Sequence, residues 1–239
     1  MTTYDLYLES GPRRRKTMVH ALDLLGCVAV GPTTEEAIAA TPEAIRAYRR
    51  FLHRHGEPID RQAPVATRVV DHVTEGDWLG NGSPYLIFGP DFEAVTDAEV
   101  VLFLHRFRSL CEELAAWAET RTDAQLDAAL AAGGRPARAI LLHVLGAQGA
   151  YLAAALGGAP GFSKLHAAAT RGEVGLAEAL RRTGVMATER AQATSPEERT
   201  AVRELPAGPR TLRKALRRML EHDWEHLAEL ARRPGGPEL

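Results

Sequence analysis

From Thr96 onward the apolar residues recur every three or four positions, and that rhythm restricts this part of the chain to packed helices. Thr96 and Glu99 have the spacing of a capping box, in which the hydroxyl takes the amide of residue 99 and the carboxylate returns to the amide of Thr96. The helix they open presents a stripe of Val101, Leu104, Phe107, Leu110, Leu114 and Trp117. Gly133, Gly134 and Pro136 interrupt the pattern, and a second helix is predicted from about Ala137 to Leu156, ended by Gly157 and Gly158. A third is predicted from about Gly175 to Ala193 and a fourth from about Pro209 to Arg232, stopped by Pro234 and Gly235. Amphipathic helices of about twenty residues each describe a four-helix bundle.

The residues before the bundle keep a different period. Tyr4 to Glu9 alternates between two faces, as a half-buried strand does, and Gly11-Pro12 breaks it. Thr17 to Ala21 resumes the extended pattern, and Cys27 to Val30 forms a third short apolar strand closed by Gly31-Pro32. Thr33 and Glu36 cap a helix whose apolar side is Ala37, Ile38, Ala44, Ile45, Tyr48 and Leu52, with Pro42 an interruption. Arg46, Arg49, Arg50 and Arg54 fall on its other face and are expected in solvent. Pro64 to Val73 and Tyr85 to Phe88 read as extended. They flank a loop containing Gly76, Gly80, Asn81, Gly82 and Pro84 that lacks the spacing of a phosphate-binding loop. Trp78, in that loop, is expected to pack beneath it. The chain therefore reads as α+β, with an α+β unit over 1–92 and an all-α unit over 93–239.

Composition excludes several classes. Hydrophobic residues are 45% and charged residues 25%, enough to bury a core, and the formal net charge of −2 exerts no global pull toward nucleic acid or membrane. The basic run Arg13-Arg14-Arg15-Lys16 is short and sits where a hairpin turn is predicted, so it reads as a solvated loop. Two cysteines, Cys27 and Cys111, make neither a disulfide framework nor a zinc ribbon. No secretory leader is apparent and no uninterrupted apolar run approaches the roughly 20 residues of a membrane span, so a reducing cytoplasm is expected.

The last helix carries Glu221-His222-Asp223-Trp224-Glu225-His226. Residues four apart share a helical face, so both imidazoles can reach one point beside the helix. HExxH chemistry does not transfer, because Asp223 stands where the metalloprotease glutamate would be. Met219, Ala215 and Leu212 extend the same stripe, which places the histidines toward neighbouring helices. Unpartnered imidazoles there are costly, and a metal would satisfy one nitrogen of each. His143, flanked on its own face by Ala139, Gly146, Ala147 and Ala150, is a third candidate ligand on a helix that can be approached closely. Spacing alone leaves the alternative of satisfied core histidines open. His53, His55, His72 and His166 lie in polar or loop settings, and His20 and His105 have no partner at ligand spacing.

These residues resemble a known family. Leu142-His143-Val144 in the second helix, with His222 and His226 in the last, is similar to the pattern of the DinB/YfiT-like four-helix bundles, and the resemblance covers about Thr96 to Arg232. It implies a divalent metal on His143, His222 and His226, with zinc the default and nickel or iron alternatives. It also implies a transferase or isomerase acting with a low-molecular-weight thiol, or a hydrolase, on a small-molecule substrate. Asp223 and Glu225 are the candidate catalytic carboxylates, although acidic side chains on a helix more often face solvent. Gln148, Tyr151 and Trp224 are candidate pocket residues. The first half resembles the HicB-like domain through Tyr4 to Leu8, Leu25-Gly26-Cys27 and Gly31 to Ala37. HicB proteins often serve as antitoxins with an added DNA-binding segment; a bundle follows here instead, so a dimerising or ligand-screening role is expected. Both resemblances imply a homodimer. The alternative function is a non-catalytic, metal-binding stress or regulatory protein.

Overall fold

The computed structural model describes residues 2–12, 15–130 and 133–239; Arg13 and Arg14 of the basic run lie outside the described residues. The N-terminal part is a sheet of β1 (Thr2–Ser10), β2 (Thr17–Ala21), β3 (Val28–Gly31) and β4 (Val65–Val73), in the order β3-β2-β1-β4. β2 is antiparallel to both β1 and β3, pairing Leu8 with Val19 and His20 with Val28. β4 is parallel to β1, reached through the crossover helix α1 (Thr34–Arg54). Tyr4, Leu6 and Leu8 alternate onto the buried side of β1, as their period of two requires.

Thr33 caps α1 by accepting the amide of Glu36 at 3.2 Å, and the helix runs on through Pro42. Proline removes only its own amide bond, the one that would reach the Ile38 carbonyl, and the turns on either side hold the helix. Arg49 is not in solvent: it is 2% exposed, donating from Nε and Nη2 to the Tyr4 hydroxyl and from Nη1 to the Ala63 carbonyl. The buried hydroxyl and carbonyl need a donor, and a long guanidinium supplies both bonds at once. Tyr85 to Phe88 forms no strand. Trp78 does not pack beneath its loop; it is 68% exposed and has a φ of 63°.

The helical part comprises α2 (Asp97–Glu119), α3 (Asp123–Leu126), α4 (Ala137–Leu156), α5 (Phe162–Thr170), α6 (Leu176–Gln192), α7 (Pro196–Thr200) and α8 (Leu212–Ala231). The four long ones close a bundle in which α2 and α4 each pack against both α6 and α8. α8 starts later than the sequence pattern predicts because Gly208–Arg210 forms β6, paired with β5 (Arg203–Leu205) in a hairpin. α4 is long and apolar enough to cross a membrane by length and composition, at a mean hydropathy of 1.6 over its most apolar window, contrary to the sequence expectation. It packs against α5, α6 and α8, and its apolar side chains Ile140, Leu141 and Val144 are core.

The two parts share one hydrophobic core, which runs without a break from Leu6 to Leu230. Trp224 of α8 packs its ring against Tyr48 and Phe51 of α1, with centroids 4.8 and 5.3 Å apart. Arg106 of α2 bridges to Glu57 and to the Leu25 carbonyl. Covered by α2 and α4 on one side and by the sheet on the other, α8 has buried residues all round.

Candidate metal centre

Thr211 caps α8 by accepting the amide of Lys214 at 3.1 Å, and the helix then runs without interruption through its two histidines. His222 and His226 are each 6% exposed and lie one turn apart facing α4, with ring centroids separated by 4.5 Å. His143 meets them from α4: its centroid is 4.8 Å from that of His222 and 5.1 Å from that of His226. One ligand atom from each residue lies within 4.8 Å of the other two, and among the described residues no other trio of His, Cys, Asp or Glu gathers in this way. The Nε2 atoms of His143 and His222 are 3.0 Å apart. Two imidazole nitrogens on one tetrahedral zinc are separated by roughly 3.3 Å, given Zn–N bonds near 2.0–2.1 Å.

Burial favours the neutral, metal-ready form of His143 and His222. Burial, reinforced by His226, Arg218 and His143, holds His222 well below the usual histidine range. Burial and the neighbouring His226 push His143 down as well. His226 Nδ1 is 2.8 Å from Glu229 Oε2, an arrangement in which Nδ1–H donates and Nε2 keeps its lone pair for the site. That hydrogen bond pulls the Glu229 carboxyl down to about 2 against the opposing effect of burial, helped by Arg135 and Arg233. Arg233 donates to Glu229 at 3.0 Å, so the acceptor is itself fixed. His222 Nδ1 is buried without a hydrogen-bond partner, and its nearest carboxylate oxygen, Asp223 Oδ1, is 3.7 Å away, beyond hydrogen-bond length. Imidazole nitrogens from two helices at close spacing, with His226 held by Glu229, fit a divalent cation.

The two candidate carboxylates occupy unlike places. Asp223 is fully buried rather than solvated: the Gln148 amide donates to Oδ2 at 2.5 Å, and burial raises its pKa well above the carboxylate range. Glu225 is half-buried and lines an open cleft of about 720 Å³ that reaches the centre through His226. Trp224, Glu229 and Arg232 of α8 form one wall of the cleft, and Val28 to Val30 of β3 with Glu43 and Ala47 of α1 form the other. The N-terminal part thus contributes half of the cavity beside the histidines. A groove of about 700 Å³ between α2 and α6, lined by Leu104, Arg108 and Thr188, contains none of the three.

His143 is exposed, so the centre opens to solvent along α4. Tyr151 is half-buried with its ring edge-on to His222 at 5.9 Å, whereas Gln148 lies wholly inside the bundle. The remaining histidines do not join. His55 pairs with Glu113 at 2.9 Å, His72 with Ser10 at 2.8 Å, and His105 with the His55 carbonyl at 2.8 Å. His20 is buried between Glu221 and Glu9, at 3.0 and 3.4 Å. Sequence reasoning missed Glu229, although a carboxylate three residues after His226 on the same helical face was a readable signal.

Searches of curated proteins and of solved structures find no match to this chain. A family model described as the DinB superfamily matches residues 104–230, more than half of the chain, and the match takes in His143, His222 and His226. The histidine trio, all of α4 and α6 and most of α2 and α8 fall within that span, and the chain belongs to the DinB superfamily.

Proposed function

We propose that the chain is a metal-dependent enzyme that binds a divalent cation, zinc by default, on His143, His222 and His226. Its reaction is proposed to be transfer or isomerisation assisted by a low-molecular-weight thiol. The observation that carries this reading is the gathering of three imidazoles from two helices with one, His143, open to solvent. A structural zinc is closed by a fourth protein ligand, and no such ligand gathers with these three among the described residues. When bound, the cation supplies Lewis acidity that brings deprotonation of a thiol, or of water, toward neutral pH.

The protein's own groups have separable roles in this reading. Glu229 orients His226 and keeps its Nε2 lone pair directed inward. Glu225, on the cleft wall beside His226, takes the thiol proton at its carboxylate. Asp223 backs His222 from the interior and does not contact substrate. β3 and α1 screen the cleft, which supports a ligand-screening role for the HicB-like part.

Elemental analysis of the purified chain tests the first step, with about one equivalent of metal per chain expected. His222→Ala and His226→Ala lose that metal, while His53→Ala keeps it. Loading with cobalt then gives a visible spectrum that shifts when a small thiol is added. Equal occupancy in all three variants removes the metal reading, and a spectrum indifferent to thiols removes the thiol chemistry.

A further inference from the structure

A second cavity lies on the same pair of helices. It measures about 190 Å³ and is lined by Tyr85, Tyr151, Ala154, Leu205, Arg210 and Lys214, among others. Its lining contains two cations and no carboxylate. Arg210 is 8% exposed and Lys214 is 3% exposed. Arg210 Nη1 donates to the Gly208 and Pro209 carbonyls, and among the described residues its Nε and Nη2 have no hydrogen-bond partner. No acidic side chain pairs with it; its guanidinium lies over the Tyr85 ring, 5.4 Å from the centroid. Lys214 donates to the Ser83 and Leu86 carbonyls, which leaves a third N–H. Asp91 takes two bonds of 2.8 Å from Arg217 and acts on Lys214 only through space, without a hydrogen bond between them. The first turn of α8 contains no acidic residue, so the positive end of its dipole adds to the same field.

A guanidinium with a free fork and no paired acid offers two N–H groups side by side, and a planar carboxylate matches that fork. The other walls are aromatic and aliphatic, which suits an apolar body behind the charged head. The volume corresponds to about six waters at roughly 30 Å³ each, too little for a whole cofactor and enough for one end of a small molecule.

The position links this cavity to the histidines. Tyr151 lines the cavity and also meets His222 edge-on, at 5.9 Å between centroids. Lys214 and His222 are eight residues apart on one continuous helix, about 12 Å at 1.5 Å per residue. We propose that this cavity is a carboxylate-binding subsite, with Arg210 as its principal anchor, that holds the anionic end of a substrate whose reacting group lies at the histidine centre. The spanning part of this proposal rests on the metal reading above; the anion site itself does not.

Burial holds both cations below their ordinary pKa values, so an arriving anion stabilises their charged forms. The test uses the full chain after metal removal with a chelator, with hydrocinnamate as probe and hydrocinnamyl alcohol as its neutral counterpart, followed by calorimetry. The acid is expected to bind at least about tenfold more tightly than the alcohol, and Arg210→Gln to abolish that preference. Ala154→Phe, which fills the cavity and removes no charge, is expected to abolish binding of both. Arg182→Gln, on the exposed face of α6, changes neither. Equal affinities for acid and alcohol, or acid binding unaffected by both Arg210→Gln and Ala154→Phe, overturn the subsite. Displacement by inorganic phosphate at equal concentration overturns the carboxylate assignment. Because no metal is present, a negative result here is distinct from a failure of the metal site, which elemental analysis reads separately.

Discussion

The two halves of α8 treat buried polar groups in opposite ways. In the half toward the sheet, nearly every charge has its complement. Arg217 joins Asp91 and Glu221, Arg218 joins Glu221, and Glu221 also meets His20, with Arg217, Arg218, Glu221 and Asp91 each about 1% exposed. Burial alone raises the Glu221 carboxyl, but Arg217, His20 and Arg218 more than reverse it and hold it well below its usual range. Both sides leave single atoms over, His20 Nε2 and Arg218 Nε in the network and His222 Nδ1, Asp223 Oδ1 and Gln148 Oε1 toward α4, but only toward α4 does a buried carboxyl, Asp223, have no cation beside it. Complementary charges hold one side together, whereas the other keeps a buried carboxyl with only an amide beside it. The contrast lies within one helix of twenty residues, so it arises from side chains and not from backbone geometry.

The largest expected effect comes from breaking the completed half. Glu221→Ala leaves Arg217, Arg218 and His20 buried without their shared carboxylate, a change that costs about 3–5 kcal/mol. In a chain of this size the midpoint of thermal unfolding falls by about 6–20 °C. His226→Ala, one turn further on, costs about 1 kcal/mol or less in the metal-free protein. Thermal denaturation of both variants after chelation checks the ratio, and similar losses would erase the distinction between the two halves. Acid gives the same information with its own sign. Glu221 and Asp91 have depressed folded pKa values, so their contribution is complete above the unfolded carboxylate range of about 4. It is lost as pH falls through the folded values, and Glu221→Ala flattens that acid limb.

A smaller effect sharpens the other half. Glu229→Ala removes the acceptor that fixes His226 and lowers metal affinity by about 10–100-fold, while Glu229→Gln retains an acceptor oxygen and recovers most of the loss. Competition against a chromophoric chelator measures both. Unchanged affinity in Glu229→Ala would mean that His226 orients itself without help.

Much of this contrast was legible in sequence, though not the part that depends on both faces of α8 being covered. The bounds of α4 and the caps at Thr33 and Thr96 follow from local chemistry, and the structure reproduces them. The approach of His143 to His222 was readable because histidines four apart and a small-residue face are periodic signals. Arg49, Lys214, Arg217 and Arg218 were illegible: a charged residue on a helix is solvated by default, and only a partner distant in sequence, such as Tyr4 or Asp91, makes its burial tolerable. The hairpin of β5 and β6 was absorbed into the predicted start of the last helix, because a two-residue turn between three-residue strands has almost no period to detect.

The smallest expected effect tests whether the orphaned half contains a charge at all. Asp223 is buried and its only hydrogen-bond partner among the described residues is an amide, so burial raises its carboxyl well above the usual range. A neutral carboxyl has one O–H to donate, and the Gln148 amide can present its oxygen to receive it after a flip. Asn at this position has the same shape and also offers both a donor and an acceptor, so Asp223→Asn changes stability by less than about 1 kcal/mol at pH 5. The sign with pH is opposite to that of Glu221. A group whose folded pKa is raised contributes fully below its unfolded value and loses that contribution as pH rises through the folded one. The parent chain therefore weakens relative to Asp223→Asn as pH rises above the unfolded carboxylate range of about 4, and the two unfolding curves diverge from there. If Asp223→Asn is instead as damaging at pH 5 as Glu221→Ala, residue 223 carries a charge that the histidine side of the helix depends on, and the two halves of α8 are built alike.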